Sequence, residues 1–110
     1  MTTVDIWAGR RADHPLAGAE RLFRTMAVER LDTLSSAWVR LDSGQNIREA
    51  LDDIRMVAHK IAGTAASLGH GNLGNQAAEV ERLSIEGAGR TALLKALRPL
   101  IAGLAELLDD

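Results

Sequence analysis

Apolar side chains recur every three or four residues along most of this chain, and the pattern breaks at clusters of glycine, asparagine, aspartate and serine. That spacing is the period of an α-helix with one buried face, and four such segments follow one another. The first predicts a helix from about Pro15 to Leu41, with Phe23, Met26, Ala27, Leu31, Leu34, Trp38 and Leu41 inward. His14-Pro15 opens it, since proline suits a first helical turn, and Asp42-Ser43-Gly44 closes it. The second begins after Asn46, an expected N-cap with Glu49 placed for a capping box, and its stripe is Ile47, Leu51, Ile54, Ala58, Ile61, Ala65 and Leu68. Gly69-His70-Gly71 ends it, and Asn72 is the expected cap of a third helix that turns Leu73, Ala77, Val80 and Leu83 inward. Glu86-Gly87-Ala88-Gly89 interrupts, and a fourth helix starts at Arg90 or Thr91 with Leu93, Leu97, Leu100, Ile101, Leu104 and Leu108 on its stripe. Inside it, Pro99 removes a backbone hydrogen bond at a typical cost of ~3 kcal/mol, which predicts a kink or a break.

Short links favour antiparallel neighbours, so the pattern predicts an all-α fold, an antiparallel up-down four-helix bundle over residues 15–110. Residues 1–14 read as a short N-terminal arm whose Ile6 and Trp7 can dock on the bundle. A length of 110 residues suits one compact domain, expected as a monomer. The 46% apolar content is mostly leucine and alanine, with three aromatics, as helical bundles have.

Composition narrows the function classes. Without cysteine there are no disulfides, thiolate nucleophiles or soft metal sites, which fits a reducing compartment. No apolar run approaches the roughly 20 residues of a membrane span, and Met1 to Arg10 lacks the apolar core of a signal peptide, so a cytoplasmic protein with no membrane partner is expected. A net charge of −2 is too balanced for a nucleic-acid footprint. The histidines at 14, 59 and 70 share no metal-binding spacing, so no metal site is expected. Gly69 to Gly74 carries a chance glycine spacing with no preceding strand to make a dinucleotide-binding turn. His14 and His70 read as a terminus residue and a cap residue.

His59 is different. At about 100° per residue it points roughly 130° away from the apolar direction of the second helix, toward solvent. Asp52, Arg55, Met56, Ala62, Gly63, Ala66 and Ser67 share that outer face, and from Ala62 onward it is nearly flat. Gly63 costs a helix about 1 kcal/mol relative to alanine, a penalty that makes sense where another molecule approaches closely; the competing use is a close helix-helix contact within the fold. An imidazole has an ordinary pKa of about 6.5, so a neutral nucleophilic nitrogen is abundant near neutral pH. The residues describe a docking surface with a nucleophile at its centre.

The stretch His59, Ile61, Gly63, Thr64, Ala65, Leu68, Gly69, followed by Leu73 and Val80-Glu81, resembles the signature of histidine-containing phosphotransfer (HPt) domains. It departs from that signature at Ala62, where the family carries a lysine. The resemblance implies that His59 accepts a phosphoryl group from the phospho-aspartate of a receiver domain and passes it on, and that Glu81 on the next helix hydrogen-bonds Nδ1 and leaves Nε2 to attack. It further implies response-regulator receiver domains and a hybrid histidine kinase as partners, docked over Arg55, Met56, Lys60, Ala62, Gly63, Ala66 and Ser67. The chain would be a phosphocarrier with no cofactor of its own rather than an enzyme, the Mg2+ belonging to the receiver. The rival expectation is an adaptor that uses the same flat face to bind or inhibit a kinase or receiver without accepting phosphate. A helical oligomerisation domain is a third.

Overall fold

The computed structural model describes residues 16–109, and the expectations for the arm, for His14-Pro15 and for docking of Ile6 and Trp7 lie outside them. Four helices make up the described residues: α1 (Ala17–Ser43), α2 (Ile47–Ala65), α3 (Gly71–Glu86) and α4 (Arg90–Leu108), with a 3-10 turn at Ala66–Leu68 between α2 and α3. No strand occurs among the described residues. Each helix packs against two others, α1 on α2 and α4, and α3 on α2 and α4, which closes a four-sided bundle. Direction is fixed by contacts at the ends. The guanidinium of Arg24, near the start of α1, donates to the carbonyl of Leu107 at the end of α4 at 2.8 Å. The expected up-down bundle is the observed one.

Leucine and isoleucine fill the interior, with Leu34, Leu41, Ile54, Ile61, Leu93, Leu97, Leu100 and Leu104 fully buried. Between them sit the buried alanines Ala27, Ala37, Ala50, Ala58, Ala65 and Ala77, small enough to let the helix backbones approach. Among the described residues no polar or charged side chain is buried. The core is therefore held by burial of apolar area, at roughly 25 cal/mol per Å² removed from water. Polar ties lie at its edge, such as the 2.7 Å ion pair between Arg40 of α1 and Asp53 of α2.

Several local expectations are corrected. Asn46 does not cap α2 with its side chain; it takes a left-handed conformation, φ 50°, directly after the turn begun by Gly44 at φ 78°. Asparagine tolerates that region, and in it the side chain leaves the capping geometry, so no capping box with Glu49 forms. Ile47 shares the direction of Ile54 but occupies the first residue of α2, at the end of the bundle, and stays exposed. Helix α3 starts at Gly71 with His70 in the N-cap position, two residues before the expected cap Asn72, which therefore lies inside the helix. Trp38 sits at the rim of the core, half-buried, with the Arg98 guanidinium 5.6 Å from its ring centroid. Pro99 does not split α4, which runs unbroken through it. Its ring faces outward, and the Lys95 carbonyl it leaves without a helical donor lies on the solvated side, where water can serve it.

His70 does more than end a helix. Its imidazole stacks on Phe23 of α1, with ring centroids 5.2 Å apart and 15° between planes, and its Nε2 lies 3.0 Å from the Glu20 carboxylate. The turn between α2 and α3 is thus fastened to the first turn of α1, which fixes where α3 begins relative to His59.

Candidate functional site

His59 sits in the fourth turn of α2, a helix whose buried face is Ala50, Ile54, Val57, Ala58, Ile61 and Ala65. Those residues set the rotation of α2, and with the core side occupied His59 is left facing out; its side chain is 73% exposed. Val80 and Ala77 of α3 are buried against the same core. Their burial places the neighbouring Glu81 at the α2–α3 seam, where its side chain is 23% exposed. The result is a 2.6 Å contact between His59 Nδ1 and Glu81 Oε2. An ionised carboxylate only accepts, so in this pair Nδ1 carries the proton and donates it. Nε2 is then the nitrogen with a free lone pair.

Glu81 makes this bond alone among the acids nearby. Arg82, the adjacent cation, is not its partner: Arg82 is clasped between Glu79 at 2.7 Å and Glu86 at 2.9 Å. Hydrogen bonding from Arg82 holds the Glu79 carboxyl below the usual carboxylate range, and the bonds from Glu79 and Glu86 push the Arg82 guanidinium up. That clasp stays ionised near neutral pH and leaves Glu81 to the imidazole.

A shallow depression of about 450 Å³ flanks the imidazole, lined by Asp52, Arg55, Met56, Lys60, Glu81 and Ile85. Met56 and Ile85 give it two exposed apolar walls, 51% and 63% accessible. Arg55 and Lys60 are exposed, and no ion pair involving either occurs among the described residues. Sequence reasoning missed Ile85. Its signal was present, an isoleucine four residues after Glu81 and hence on the same side of α3, but only the α2–α3 packing shows that this side borders His59.

The C-terminal side of His59 is bare. Gly63 is exposed, and a Cβ built there meets nothing within 4 Å, so its glycine serves no contact inside the fold. Ala66 and Ser67 are exposed too, although they belong to the 3-10 turn rather than to a straight continuation of α2. Ser67 Oγ donates to the Thr64 carbonyl at 2.9 Å. Ala62 departs from the expected open face: it is half-buried against the core, because α2 rotates it toward its packed flank. Close approaches inside the fold are made elsewhere: an added Cβ at Gly74 of α3 would come 3.3 Å from the Ala66 backbone nitrogen, and one at Gly103 of α4 3.0 Å from the Leu73 side chain.

Among the described residues no cluster of histidine, cysteine, aspartate or glutamate is suited to hold a metal ion, and no helix is long and apolar enough to cross a membrane. Neither the comparison with curated proteins nor that with solved structures found a match. A family model for the Hpt domain, however, matches residues 21–110, which takes in α2, α3, α4 and all of α1 after its first turn, with His59 and Glu81. An outward imidazole oriented by a carboxylate from the next helix, on a bundle matched along nearly its whole length, assigns the fold and the family together: the chain belongs to the Hpt domain family.

Proposed function

We propose that this protein is a phosphocarrier that relays a phosphoryl group between receiver domains through His59. Hpt domains serve histidine phosphotransfer in phosphorelays, where they meet receiver domains and histidine kinases. The observation that carries the proposal for this chain is the 2.6 Å Nδ1 to Glu81 bond on a ring otherwise open to solvent.

The chemistry follows from that bond. The Nε2 lone pair attacks the phosphorus of a receiver's aspartyl phosphate; the Nε2–P bond forms as the P–O bond to the aspartate breaks, and the aspartate leaves as a carboxylate with the electron pair. No proton has to leave the attacking nitrogen. The ring, still protonated at Nδ1, becomes cationic as it gives up its lone pair, and Glu81 offsets that charge while holding the ring plane still. Phosphoryl transfer is catalysed mainly by positioning and charge neutralisation, and both are available at this site. Onward transfer is the same step reversed against a second receiver. The divalent cation belongs to the receiver's acidic pocket, and this chain contributes the nucleophile, its orientation and a surface to dock on. Met56 and Ile85 on one side of the ring, with the bare stretch from Gly63 to Ser67 on the other, provide that surface.

Incubation with a receiver carrying labelled aspartyl phosphate tests the proposal. Acid-labile, alkali-stable label on the wild type, lost in His59→Gln with helical content retained, is the expected result. Stable binding of receivers without label transfer would instead make the chain an adaptor.

A further inference from the structure

Phosphorylation loads the depression beside His59 with charge that the resting site does not balance. A phosphoryl group brings about two negative charges near neutral pH. The Nδ1-protonated ring contributes one positive charge once Nε2 is bonded to phosphorus, and Glu81, 2.6 Å from Nδ1, cancels it. Asp52 adds a further acid to the rim. Two cations line the same depression, Arg55 and Lys60. Ala62, half-buried, offers none.

From this charge balance we propose that Arg55 is the residue that contacts the phosphoryl oxygens of phospho-His59. The inference rests on the phosphotransfer reading and adds to it a second catalytic group on α2. Arg55 stands one turn before His59, about 40° around the helix from it, whereas Lys60 is about 100° away. Side chains on a helix lean toward its N-terminus, so the His59 ring and anything bonded to Nε2 lie over the turn that carries Arg55 and Met56. A guanidinium presents paired N–H donors that match two phosphoryl oxygens at once, which an ammonium cannot do in one geometry. No ion pair of Arg55 occurs among the described residues, so it need not leave a partner to make this contact.

Phosphoramidate, a small donor whose P–N bond breaks to release ammonia, can charge His59 without any receiver and so separates this role from docking. The phosphoryl resonance is then followed by 31P NMR through a pH titration, in the full chain and in Arg55→Gln, Arg55→Lys and Lys60→Gln. A cation on the oxygens favours the more ionised phosphoryl group, so Arg55→Gln raises its last pKa by several tenths of a unit or more and slows charging several-fold. Arg55→Lys restores part of both, and Lys60→Gln moves the titration less than half as far. A titration unchanged in Arg55→Gln, or moved as far or further by Lys60→Gln, overturns the assignment while a wild type still charged at His59 keeps the phosphotransfer reading. A wild type that takes label neither from phosphoramidate nor from a receiver overturns both.

Discussion

Glu81 Oε2 lies 2.6 Å from Nδ1 of His59, on the side of the ring that faces α3, while nearly three-quarters of the His59 side chain remains open to solvent. Donation to an ionised Glu81 keeps the proton on Nδ1 and, in the proposed relay, leaves Nε2 to attack. Hydrogen bonds to a charged group contribute about 1.5–3 kcal/mol, equivalent to roughly 10- to 100-fold in rate if realised in the transition state. Glu81→Ala is expected to slow transfer from a charged receiver by about that factor, with Glu81→Gln intermediate because the amide oxygen still accepts from Nδ1–H. Stability changes little in either case, since the contact lies at the surface. Rapid-quench transfer kinetics beside thermal unfolding separate the two effects, and an unchanged rate in Glu81→Ala would remove Glu81 from the mechanism.

Gly63 and Gly74 make opposite predictions. An added Cβ at Gly63 meets nothing within 4 Å, so Gly63→Ala gains helix propensity of about 0.5–1 kcal/mol and raises Tm. At Gly74 the same atom comes 3.3 Å from the Ala66 backbone nitrogen, which cannot swing aside as a side chain can. Overpacking of that kind costs about 1–3 kcal/mol, and Gly74→Ala is expected to lower Tm despite its propensity gain. If the bare face of α2 is where a receiver docks, Gly63→Ala also weakens receiver binding while stabilising the free protein, a combination that paired calorimetry and binding titrations detect.

The contrast between these glycines also marks what could be read from the chain. The stripe Ile54, Ala58, Ile61 and Ala65 was legible because helical periodicity is a local property, and the outward angle of His59 followed from it by rotation alone. The role of Glu81 came with the HPt resemblance, and its bond became visible only once α3 was set against α2. Gly74, Ile85 and the His70–Phe23 stack join residues far apart in sequence, and nothing local distinguishes them. The two helix starts were misread for a related reason. Asn46 and His70 occupy reversals whose backbone geometry is set by how tightly the next helix must fold back, so a capping motif in the sequence did not become a cap in the structure.

Pro99 stands in the tenth position of α4 without dividing it, and its side chain is exposed. An interior proline ordinarily costs a helix ~3 kcal/mol. Pro99→Ala restores the hydrogen bond to the Lys95 carbonyl without disturbing the core, and is expected to raise unfolding stability by about 1–3 kcal/mol in urea titrations. A destabilised variant would show that the proline bends α4 to fit the bundle.

The Arg82 clasp gives a pH signature with a definite sign. Bonding to Arg82 lowers the Glu79 carboxyl below its ordinary value of 4.5, so its stabilisation is complete above that pH and is lost as pH falls through the lower, folded value. The Tm difference between wild type and Glu79→Gln is therefore expected near neutral pH in dilute buffer and to vanish in strong acid. Because both side chains are about half exposed, high salt should shrink it as well.

In the proposed relay Nε2 of His59 carries the phosphoryl group while Glu81 keeps the proton on Nδ1. The most direct measurement is a long-range proton-nitrogen NMR spectrum of the full chain, labelled with 15N-histidine and charged by a receiver. Phosphorus coupling at His59 Nε2, with Nδ1 still protonated, is the predicted result; coupling at Nδ1, or an unaltered His59 while the receiver loses its phosphate to another residue of this chain, would contradict it.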